Sequence, residues 1–343
     1  MSPGKVAVVG AGAWGTALAD LLGRKGFEVH LWVYEAELAE RMAETRENHL
    51  YLPDHRIAEA VRPSSDLEAV VEGAAVVVSV TPAQVVRGVM GRAAAAIRHD
   101  AWVVSASKGI ENGTLCLMHE VLTQVLPEPL YGRVAALSGP SFAAEVIRGV
   151  PTAVSLACAD PEGARTLQSV FSGPTFRVYT LDDMVGVELG GALKNVIALA
   201  AGISDGLGFG FNSRAALITR GLAEISRLGV ALGARPLTFL GLAGMGDLVL
   251  TCTGSLSRNR SVGLRLGRGE KLPDILGSMR AVAEGVKTTD AAVDLARRHG
   301  VDMPIAREVH DVLHGRKEPR QAVEDLMGRP SKREFWDLET PPA

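Results

Sequence analysis

Near its beginning the chain reads KVAVVGAGAWGTALADLLGRKGFEVHLWVYE (residues 5–35). The valine-rich run at 5–10 predicts a buried strand, and the apolar repeat at 13–26, with Gly26 as its C-cap, predicts a helix. A second apolar run at 27–35 predicts another strand. Strand, helix and strand in this order predict a βαβ unit with parallel strands and a right-handed crossover.

The same alternation continues to about residue 180. Apolar, β-branched runs that end in small or polar residues indicate buried parallel strands. Such runs lie at 74–82, 101–109, 133–141, 151–158 and 175–180, with helical repeats such as 83–98 and 161–172 between them. We therefore predict an α/β fold whose first domain is a Rossmann domain with a doubly wound parallel sheet.

The character of the sequence changes after the last predicted strand. From residue 182 to 326 we find only helical periods and glycine-rich turns. The domain organisation that we predict is a Rossmann domain at 1–180, an all-helical domain at 181–330 and a polar tail at 331–343.

The bulk composition excludes several classes of protein. A net charge of −3 leaves no basic footprint for nucleic acid and no polybasic patch for a membrane. The three cysteines are scattered without a CxxC, which argues for a reducing compartment and against a disulfide framework or a zinc site. Because we see no signal-peptide pattern and no apolar run of the ~18–20 residues that a span needs, we expect a soluble cytoplasmic protein without membrane insertion.

The loop after the first strand carries the pattern G-x-G-x-x-G, formed by Gly10, Gly12 and Gly15. In a dinucleotide site the first glycine permits the turn, the second lets the backbone approach a pyrophosphate, and the third allows close helix–strand packing. The helix that follows offers free N–H groups and the positive end of its dipole to the phosphates. The alternative is a plain glycine turn, which the βαβ context disfavours.

The end of the second strand bears on the choice between NAD and NADP. Glu35 lies twenty positions after Gly15, near the usual place of the acid that binds the adenosine ribose 2′-OH. A carboxylate there favours NAD, because a 2′-phosphate would face a like charge. Two alternatives stay open: Glu35 is a solvated loop residue, or Arg41 and Arg46 reach a 2′-phosphate.

Polar residues follow three of the predicted strands, where ligands of such sheets bind. Thr81-Pro82 follows one strand, Lys108 follows the next, and SGPSFA (138–143) follows a third and opens a helix. Lys108 suits an anion or a carbonyl oxygen, unless it is an ordinary surface lysine. Ser141 is either a ligand-binding residue or only a helix N-cap.

A lysine inside an apolar helix is the strongest candidate for chemistry. The segment VGVELGGALKNVIALAAGI (185–203) reads as a helix with apolar residues nearly all round, and Lys194 lies within it. Lys194 either is desolvated beside a polar cleft or reaches the surface on its long stem. Asp247, set among glycines and aliphatic residues at 241–252, is a buried carboxylate that needs a partner, and Lys194 is the obvious one.

The segment SLSRNRS (255–261) has the composition of a phosphate site. The guanidinium of Arg258, the amide of Asn259 and the N–H groups of a helix start can bind a phosphate together. The alternative is an ordinary basic helix start.

None of the eight histidines falls in these candidate segments, which argues against a histidine base. We also see no Cys/His/Asp spacing that suggests a metal.

Eight segments in this order carry a family resemblance: GAGAWGTALA (10–19), YLP (51–53), SKGIE (107–111), SGPSFAAEV (138–146), GVELGGALKNVIALAAGISDGLGFGFN (186–212), GLAGMGDL (241–248), SRN (257–259) and AEG (283–285). Over roughly residues 4–330 the chain resembles the bacterial NAD(P)-dependent glycerol-3-phosphate dehydrogenases. The resemblance implies a helical domain like the C-terminal domain of 6-phosphogluconate dehydrogenase, a cytoplasmic homodimer, and a role in phospholipid synthesis. It also implies hydride transfer between NAD(P)H and dihydroxyacetone phosphate, giving sn-glycerol 3-phosphate.

The resemblance also implies roles for particular residues. Lys194 matches the catalytic proton donor and acceptor. The matches to substrate-contacting positions are Lys108, Gly139, Ser141, Asp247, Ser257, Arg258 and Asn259, and those to cofactor-contacting positions are Trp14, Tyr51, Lys108, Ala143, Arg258, Val282 and Glu284. Where family members usually carry arginine for the 2′-phosphate of NADP, this chain has Tyr34 and Glu35, which agrees with a preference for NAD.

These residues suggest a mechanism for the implied dehydrogenase, and two other functions are possible alternatives. Lys194 would protonate the ketone oxygen. Asp247 and Asn195 would orient Lys194, and Lys108 would add positive electrostatic potential. The first alternative is a dehydrogenase of the same plan that acts on a hydroxy acid or sugar acid, which the SRN segment and the lack of a histidine base disfavour. The second is a nucleotide-sensing binding protein, which would not need a Lys194–Asp247 pair.

Overall fold

The computed structural model of the chain describes residues 4–279, 283–331 and 333–334. The ten strands within them are β1 (Lys5–Val9), β2 (Glu28–Trp32), β3 (Glu47–Asn48), β4 (Leu52–Arg56), β5 (Val61–Ser64), β6 (Val76–Ser79), β7 (Trp102–Ser105), β8 (Val134–Ser138), β9 (Thr152–Cys158) and β10 (Phe176–Leu181). Eight form one sheet in the order β10-β9-β8-β7-β6-β1-β2-β5, and β3 and β4 form a separate pair.

The α-helices begin in the first βαβ unit and make up almost all of the second half. They are α1 (Ala13–Arg24), α2 (Ala36–Thr45), α3 (Leu67–Val71), α4 (Val86–Ala93), α5 (Met118–Val125), α6 (Ala143–Val146), α7 (Pro161–Phe171), α8 (Met184–Gly206), α9 (Phe211–Ala231), α10 (Asp247–Thr253), α11 (Arg258–Gly267), α12 (Leu272–Gly277), α13 (Glu284–Arg298), α14 (Pro304–Leu313) and α15 (Pro319–Met327). A π-helical turn at Leu242–Gly246 leads directly into α10.

The order of the strands confirms the predicted Rossmann fold. β1 lies between β2 and β6 and is parallel to both, so the chain winds outward from β1 in two directions. The crevice where the winding reverses lies beyond the carboxyl ends of β1 and β6, and it is the usual ligand site of such sheets. The loop with the three glycines follows β1 and therefore lies at this crevice.

Two features of the sheet differ from the prediction. β9 runs antiparallel to β8, and β10 is parallel to β9, so these two strands run opposite to the other six. The connection before β9 contains only the single-turn helix α6, whereas a parallel crossover needs a helix long enough to return across the sheet. β5 was not predicted, because its sequence VRPS is short, polar and interrupted by proline, as an edge strand permits.

The long helix α8 is the centre of the helical half. It is buried on nearly all sides, as its all-round apolar sequence requires. By length and hydropathy alone it could cross a membrane, so the expectation that no apolar run is long enough was wrong. However, 89% of its apolar window is buried inside the protein, which makes it a core helix.

Glycines bring α8 and α11 into backbone contact. A Cβ on Gly202 would lie 2.1 Å from the carbonyl oxygen of Arg260, and a Cβ on Gly263 would lie 2.1 Å from that of Leu199. Two glycines on each helix, four residues apart, share this tight contact: Gly202, Gly206, Gly263 and Gly267. The close approach fixes α11 against the C-terminal turns of α8.

The limits of the two domains stay a prediction. β10 ends at Leu181 and α8 begins at Met184, close to the boundary expected between 1–180 and 181–330. Most of the tail at 331–343 lies outside the described residues.

Candidate active site

Lys194 and Lys108 share one buried carboxylate. The Nζ of Lys194, in the middle of α8, donates to Oδ1 of Asp247 at 2.5 Å. The Nζ of Lys108, which follows β7, donates to Oδ2 of the same carboxylate at 2.7 Å and to the carbonyl oxygen of Gly139 at 3.0 Å. Lys194 is only 7% exposed and Asp247 is 1% exposed, so the predicted pair is confirmed and Lys194 does not extend into solvent.

The surroundings of Lys194 lower its pKa to about 8. Burial is the largest cause, because it disfavours the charged amine; Asp247 opposes this effect and the ammonium of Lys108 adds to it. An amine with this pKa can be protonated and deprotonated near neutral pH, whereas an ordinary lysine stays charged. Lys194 is therefore suited to general acid–base chemistry.

Thr251 belongs to this centre and was not among the predicted residues. The Nζ of Lys194 donates to Oγ1 of Thr251 at 2.9 Å, and that hydroxyl donates to the backbone carbonyl of Asp247 at 2.6 Å. Thr251 lies four residues after Asp247 on α10, so both side chains project from one face of the helix. That spacing was the available signal in the sequence.

The start of α11 lies against Asn195, the residue after Lys194. The Nδ2 of Asn259 donates to Oδ1 of Asn195 at 2.9 Å, and Oδ1 of Asn259 accepts from the backbone N–H of Gly285 at 2.9 Å. The amide of Asn195 therefore contacts Asn259, and among the described residues no hydrogen bond joins it to Lys194, which it was expected to orient. Ser257 is the N-cap of α11 and accepts from the backbone N–H of Arg260 at 3.2 Å.

Arg258 and Glu284 lie near enough for their charges to influence each other. Burial lowers the pKa of Arg258, and the charge of Glu284 partly offsets that shift. Burial raises the pKa of Glu284 to about 7, although the backbone N–H of Ala83 and the charge of Arg258 both act to lower it. The contact with Ala83, four residues after the end of β6, joins α13 to the loop beyond the strand ends of the sheet. Val282, also predicted to contact the cofactor, lies outside the described residues.

The segment after β8 approaches the same place. Gly139 adopts a φ of +143°, and a Cβ there would lie 2.9 Å from the Cα of Val154, so only glycine fits without strain. Ser141 donates to the carbonyl oxygen of Gly139 at 3.1 Å and does not cap α6, whose N-cap position is Phe142. Ala143 begins α6 and packs partly buried against the core of the sheet.

The glycine loop has the steric properties expected of a pyrophosphate site. Gly10 has a φ of +122°, and a Cβ on Gly15 would lie 1.8 Å from the carbonyl oxygen of Gly10. A Cβ on Gly12 would meet no atom of the described residues within 4 Å, which leaves space beside it for a ligand. Trp14, in the first turn of α1, is partly buried and stacks at an angle with Phe176, with ring centroids 6.4 Å apart.

The structure after β2 weighs against a freely solvated Glu35 and against Arg46 as a 2′-phosphate ligand. Its Oε1 accepts from the hydroxyl of Tyr51 at 2.7 Å, a bond that raises the pKa of Tyr51 to about 12. Glu35 is therefore held in place rather than freely solvated. Arg46 donates to the carbonyl oxygens of Val61 and Ala58. Its guanidinium is therefore engaged by the backbone and is not free to bind a 2′-phosphate. Tyr34 is exposed, as is Arg41.

Unpartnered polar atoms around the strand ends fit a polar ligand such as a dinucleotide. Several buried side-chain atoms lack hydrogen-bond partners within the described residues; among them are Trp14 Nε1, Ser79 Oγ, Thr81 Oγ1, Ser105 Oγ and Ser138 Oγ. Ser79, Ser105 and Ser138 are the last residues of β6, β7 and β8. Together with the open space at Gly12, these donors fit a dinucleotide at the switch point of the sheet.

The fold and this site define the class: an NAD(P)-dependent dehydrogenase with a Rossmann domain and a helical domain. Two family models cover most of the chain. The N-terminal domain of NAD-dependent glycerol-3-phosphate dehydrogenase matches residues 5–164, and the C-terminal domain matches residues 183–324. The chain belongs to this family, and the predicted resemblance is confirmed.

Individual relatives agree with the family assignment. Glycerol-3-phosphate dehydrogenase [NAD(P)+] of Syntrophotalea carbinolica is 59% identical over 330 residues, which cover 96% of this chain and 99% of the relative. The relative of the same name in Geobacter sulfurreducens is 58% identical over 332 residues, covering 97% and 99%. The crystal structure of glycerol-3-phosphate dehydrogenase from Coxiella burnetii has a TM-score of 0.90 at 42% identity, covering 95% of this chain and 99% of that one. The chain is therefore an oxidoreductase, and the alternative of a binding protein without activity is excluded.

Proposed function

We propose that this chain catalyses the reversible reduction of dihydroxyacetone phosphate to sn-glycerol 3-phosphate with NAD(P)H. The observation that carries the proposal is the buried Lys194–Asp247 pair, which lies where the helical half meets the strand ends of a dinucleotide-binding sheet. Family membership supports the choice of substrate, because the relatives are named for glycerol 3-phosphate.

The proposed cofactor site follows the switch point of the sheet. Gly10, Gly12 and Gly15 hold the pyrophosphate at the N-terminus of α1. The other residues proposed to contact the cofactor are Trp14, Tyr34, Glu35, Tyr51, Lys108, Ala143, Arg258, Val282 and Glu284. When bound, the reduced nicotinamide supplies the hydride.

Lys194 carries the proton in this proposal. In its charged form it donates a proton from Nζ to the ketone oxygen of the substrate, and in the reverse direction it accepts the proton from the hydroxyl. A pKa of about 8 allows both directions near neutral pH. Because Lys194 is buried, its charge acts on the developing oxyanion with little screening by water.

Asp247, Lys108 and Thr251 support that role. The carboxylate of Asp247 fixes both ammonium groups, and Thr251 holds the Nζ of Lys194 from a second direction. Lys108 lowers the pKa of Lys194 by charge repulsion and adds positive potential beside the ketone oxygen.

The substrate phosphate would bind at the start of α11 and the segment after β8. Arg258 supplies a guanidinium, and the first turn of α11 supplies N–H groups, with Ser257, Asn259, Gly139 and Ser141 as further proposed contacts. The contact between α8 and α11 holds this phosphate site at a fixed distance from Lys194. Binding the phosphate there would align the ketone with the proton donor.

Replacing Arg258 tests the phosphate site. We expect Arg258→Ala to raise the KM for dihydroxyacetone phosphate at least about tenfold, because a charge-assisted hydrogen bond contributes about 1.5–3 kcal/mol. The KM for NADH should rise much less, because Arg258 is only one of many proposed contacts to the cofactor. Steady-state kinetics with each substrate varied in turn provide the measurement. Arg268→Ala, an exposed arginine at the other end of α11, is the matched control and should leave both constants unchanged. Equal increases in both constants for Arg258→Ala would contradict the phosphate assignment.

Parallel assays with NADH and NADPH test the reaction and the cofactor preference together. We propose that NAD is favoured, because the carboxylate of Glu35 repels a 2′-phosphate. The expected result is oxidation of both cofactors on addition of dihydroxyacetone phosphate, with a kcat/KM at least about tenfold higher for NADH. Glu35→Gln should reduce that ratio. A preference for NADPH would show that Glu35 does not repel a 2′-phosphate. If neither cofactor were oxidised, the proposed reaction would be wrong.

Three further proposals rest on the family resemblance. We propose that the chain works as a homodimer, acts in the cytoplasm and supplies glycerophospholipid synthesis. The helical half exposes large apolar side chains, such as Phe211 at 81% and Leu237 at 77%, which supports an association surface there.

A further inference from the structure

Three side chains with metal-binding atoms meet on the surface of the helical half. His310 lies near the end of α14, His314 is the C-cap residue of the same helix, and Asp290 lies on the facing helix α13. The Oδ1 of Asp290 is 2.8 Å from Nε2 of His314 and 3.8 Å from Nε2 of His310. One ligand atom from each of the three lies within 4.8 Å of the other two. The proposed reaction uses none of these residues.

We propose that Asp290, His310 and His314 bind one divalent transition-metal cation of the zinc class. Two imidazoles and one carboxylate are a donor set that suits Zn²⁺, Ni²⁺ or Co²⁺, whereas Mg²⁺ and Ca²⁺ prefer oxygen ligands alone. Three protein ligands leave the remaining coordination positions to water. The spacing of the histidines, four residues apart on one helix, places both on the same face.

The two separations from the carboxylate of Asp290 lie close to those expected around a shared cation. Metal–ligand distances of about 2.0–2.2 Å place neighbouring ligand atoms about 3.0–3.5 Å apart in octahedral or tetrahedral coordination. The distances of 2.8 Å and 3.8 Å from Oδ1 of Asp290 lie on either side of that range. Each of these two separations differs from that range by a few tenths of an ångström, and the ligand nitrogens of the two histidines lie within 4.8 Å of each other.

The second nitrogen of His310 has a partner of the kind that metal-bound histidines use. Its Nδ1 lies 3.3 Å from Oδ1 of Asp311. A carboxylate at Nδ1 keeps the proton on that nitrogen and leaves the lone pair of Nε2 for a metal. In addition, both histidines lie at the C-terminal end of α14, where the helix dipole favours a positive charge.

A cation at this position would join α13 to α14. α13 begins with Glu284, the residue that contacts Ala83 beyond the strand ends of the sheet. The inference does not depend on the proposed reaction, because it concerns metal binding and helix packing. We expect the cation to have a structural effect, seen as thermal stabilisation.

The test uses the full chain without an affinity tag, freed of metal by a chelator and titrated with Zn²⁺ against a colorimetric indicator. We expect the parent protein to bind one equivalent of Zn²⁺ at this site. Excess Mg²⁺ should not displace the bound Zn²⁺. His314→Ala and Asp290→Asn should each weaken binding at least about tenfold. His299→Ala, an exposed histidine at the end of α13, is the matched control and should bind as the parent does.

Thermal unfolding of the same proteins gives the second readout. Zn²⁺ should raise the unfolding midpoint of the parent and of His299→Ala, but not that of His314→Ala or Asp290→Asn. Midpoints measured without metal show whether each variant is folded. If the parent binds no Zn²⁺, or if all variants bind it within twofold of the parent, the proposed site is wrong.

Discussion

Lys194→Met is expected to lower kcat by at least about 10²-fold, the lower end of what a positioned acid or base contributes. Methionine keeps most of the length of the lysine stem, so the packing of α8 should be retained. The carboxylate of Asp247 would still be paired, because Lys108 donates to its other oxygen. The loss should therefore come from the missing proton donor rather than from an unpaired buried charge.

The dependence on pH provides a sharper readout of the same residue. With Lys194 as the acid, kcat/KM for ketone reduction should fall as pH rises through about 8, because the free enzyme loses the donated proton there. The oxidation of glycerol 3-phosphate needs the neutral amine, so its kcat/KM should rise over the same interval. A structural role for Lys194 would not give opposite slopes in the two directions.

The controls separate chemistry from folding. Lys271→Ala replaces an exposed lysine at the N-cap of α12 and should retain full activity. NADH binding, measured by fluorescence, should be nearly unchanged in Lys194→Met, and so should the unfolding midpoint. If Lys194→Met retained activity within a few-fold of the parent, another group would have to supply the proton.

The sequence was most informative where a buried charge demanded a partner. Lys194 and Asp247 each occur in an apolar segment, and burial of either charge alone would be costly, so their pairing could be predicted across 53 residues. Thr251 could not be predicted in the same way, because a threonine has no such need. Its hydroxyl can be satisfied by the backbone of its own helix, as its bond to Asp247 also shows.

The strands were predictable from their apolar runs, but their directions were not. The sequence of β9 is buried and apolar whether its neighbour is parallel or antiparallel, and only the short connection through α6 indicates the reversal. The edge strand β5 lacked an apolar run altogether. The metal-type cluster was missed for a different reason: Asp290 lies twenty residues before His310, and only the packing of α13 on α14 brings them together.

Gly263→Ala is expected to destabilise the helical half strongly, although it adds only one methyl group. The new Cβ would lie 2.1 Å from the carbonyl oxygen of Leu199 and 2.9 Å from the backbone nitrogen of Ile203. Because both contacts are with backbone, relief requires α11 to move away from α8, and neighbouring core contacts are lost with it. We expect a loss of at least about 3 kcal/mol, seen as a fall of at least about 5 °C in the thermal midpoint.

The matched control is Gly88→Ala, which makes the same substitution in the interior of α4. In the part of the chain that the structure describes, a Cβ at Gly88 would meet no atom within 4 Å, and the residue is exposed. Alanine is favoured over glycine there by about 0.5–1 kcal/mol, so this variant should be as stable as the parent or slightly more stable. Movement of α11 would also displace Arg258 from Lys194, so any folded Gly263→Ala protein should show a raised KM for the phosphorylated substrate. Equal midpoints for the two variants would mean that the two helices can separate without cost, and that their glycines do not set the distance between the phosphate site and the proton donor.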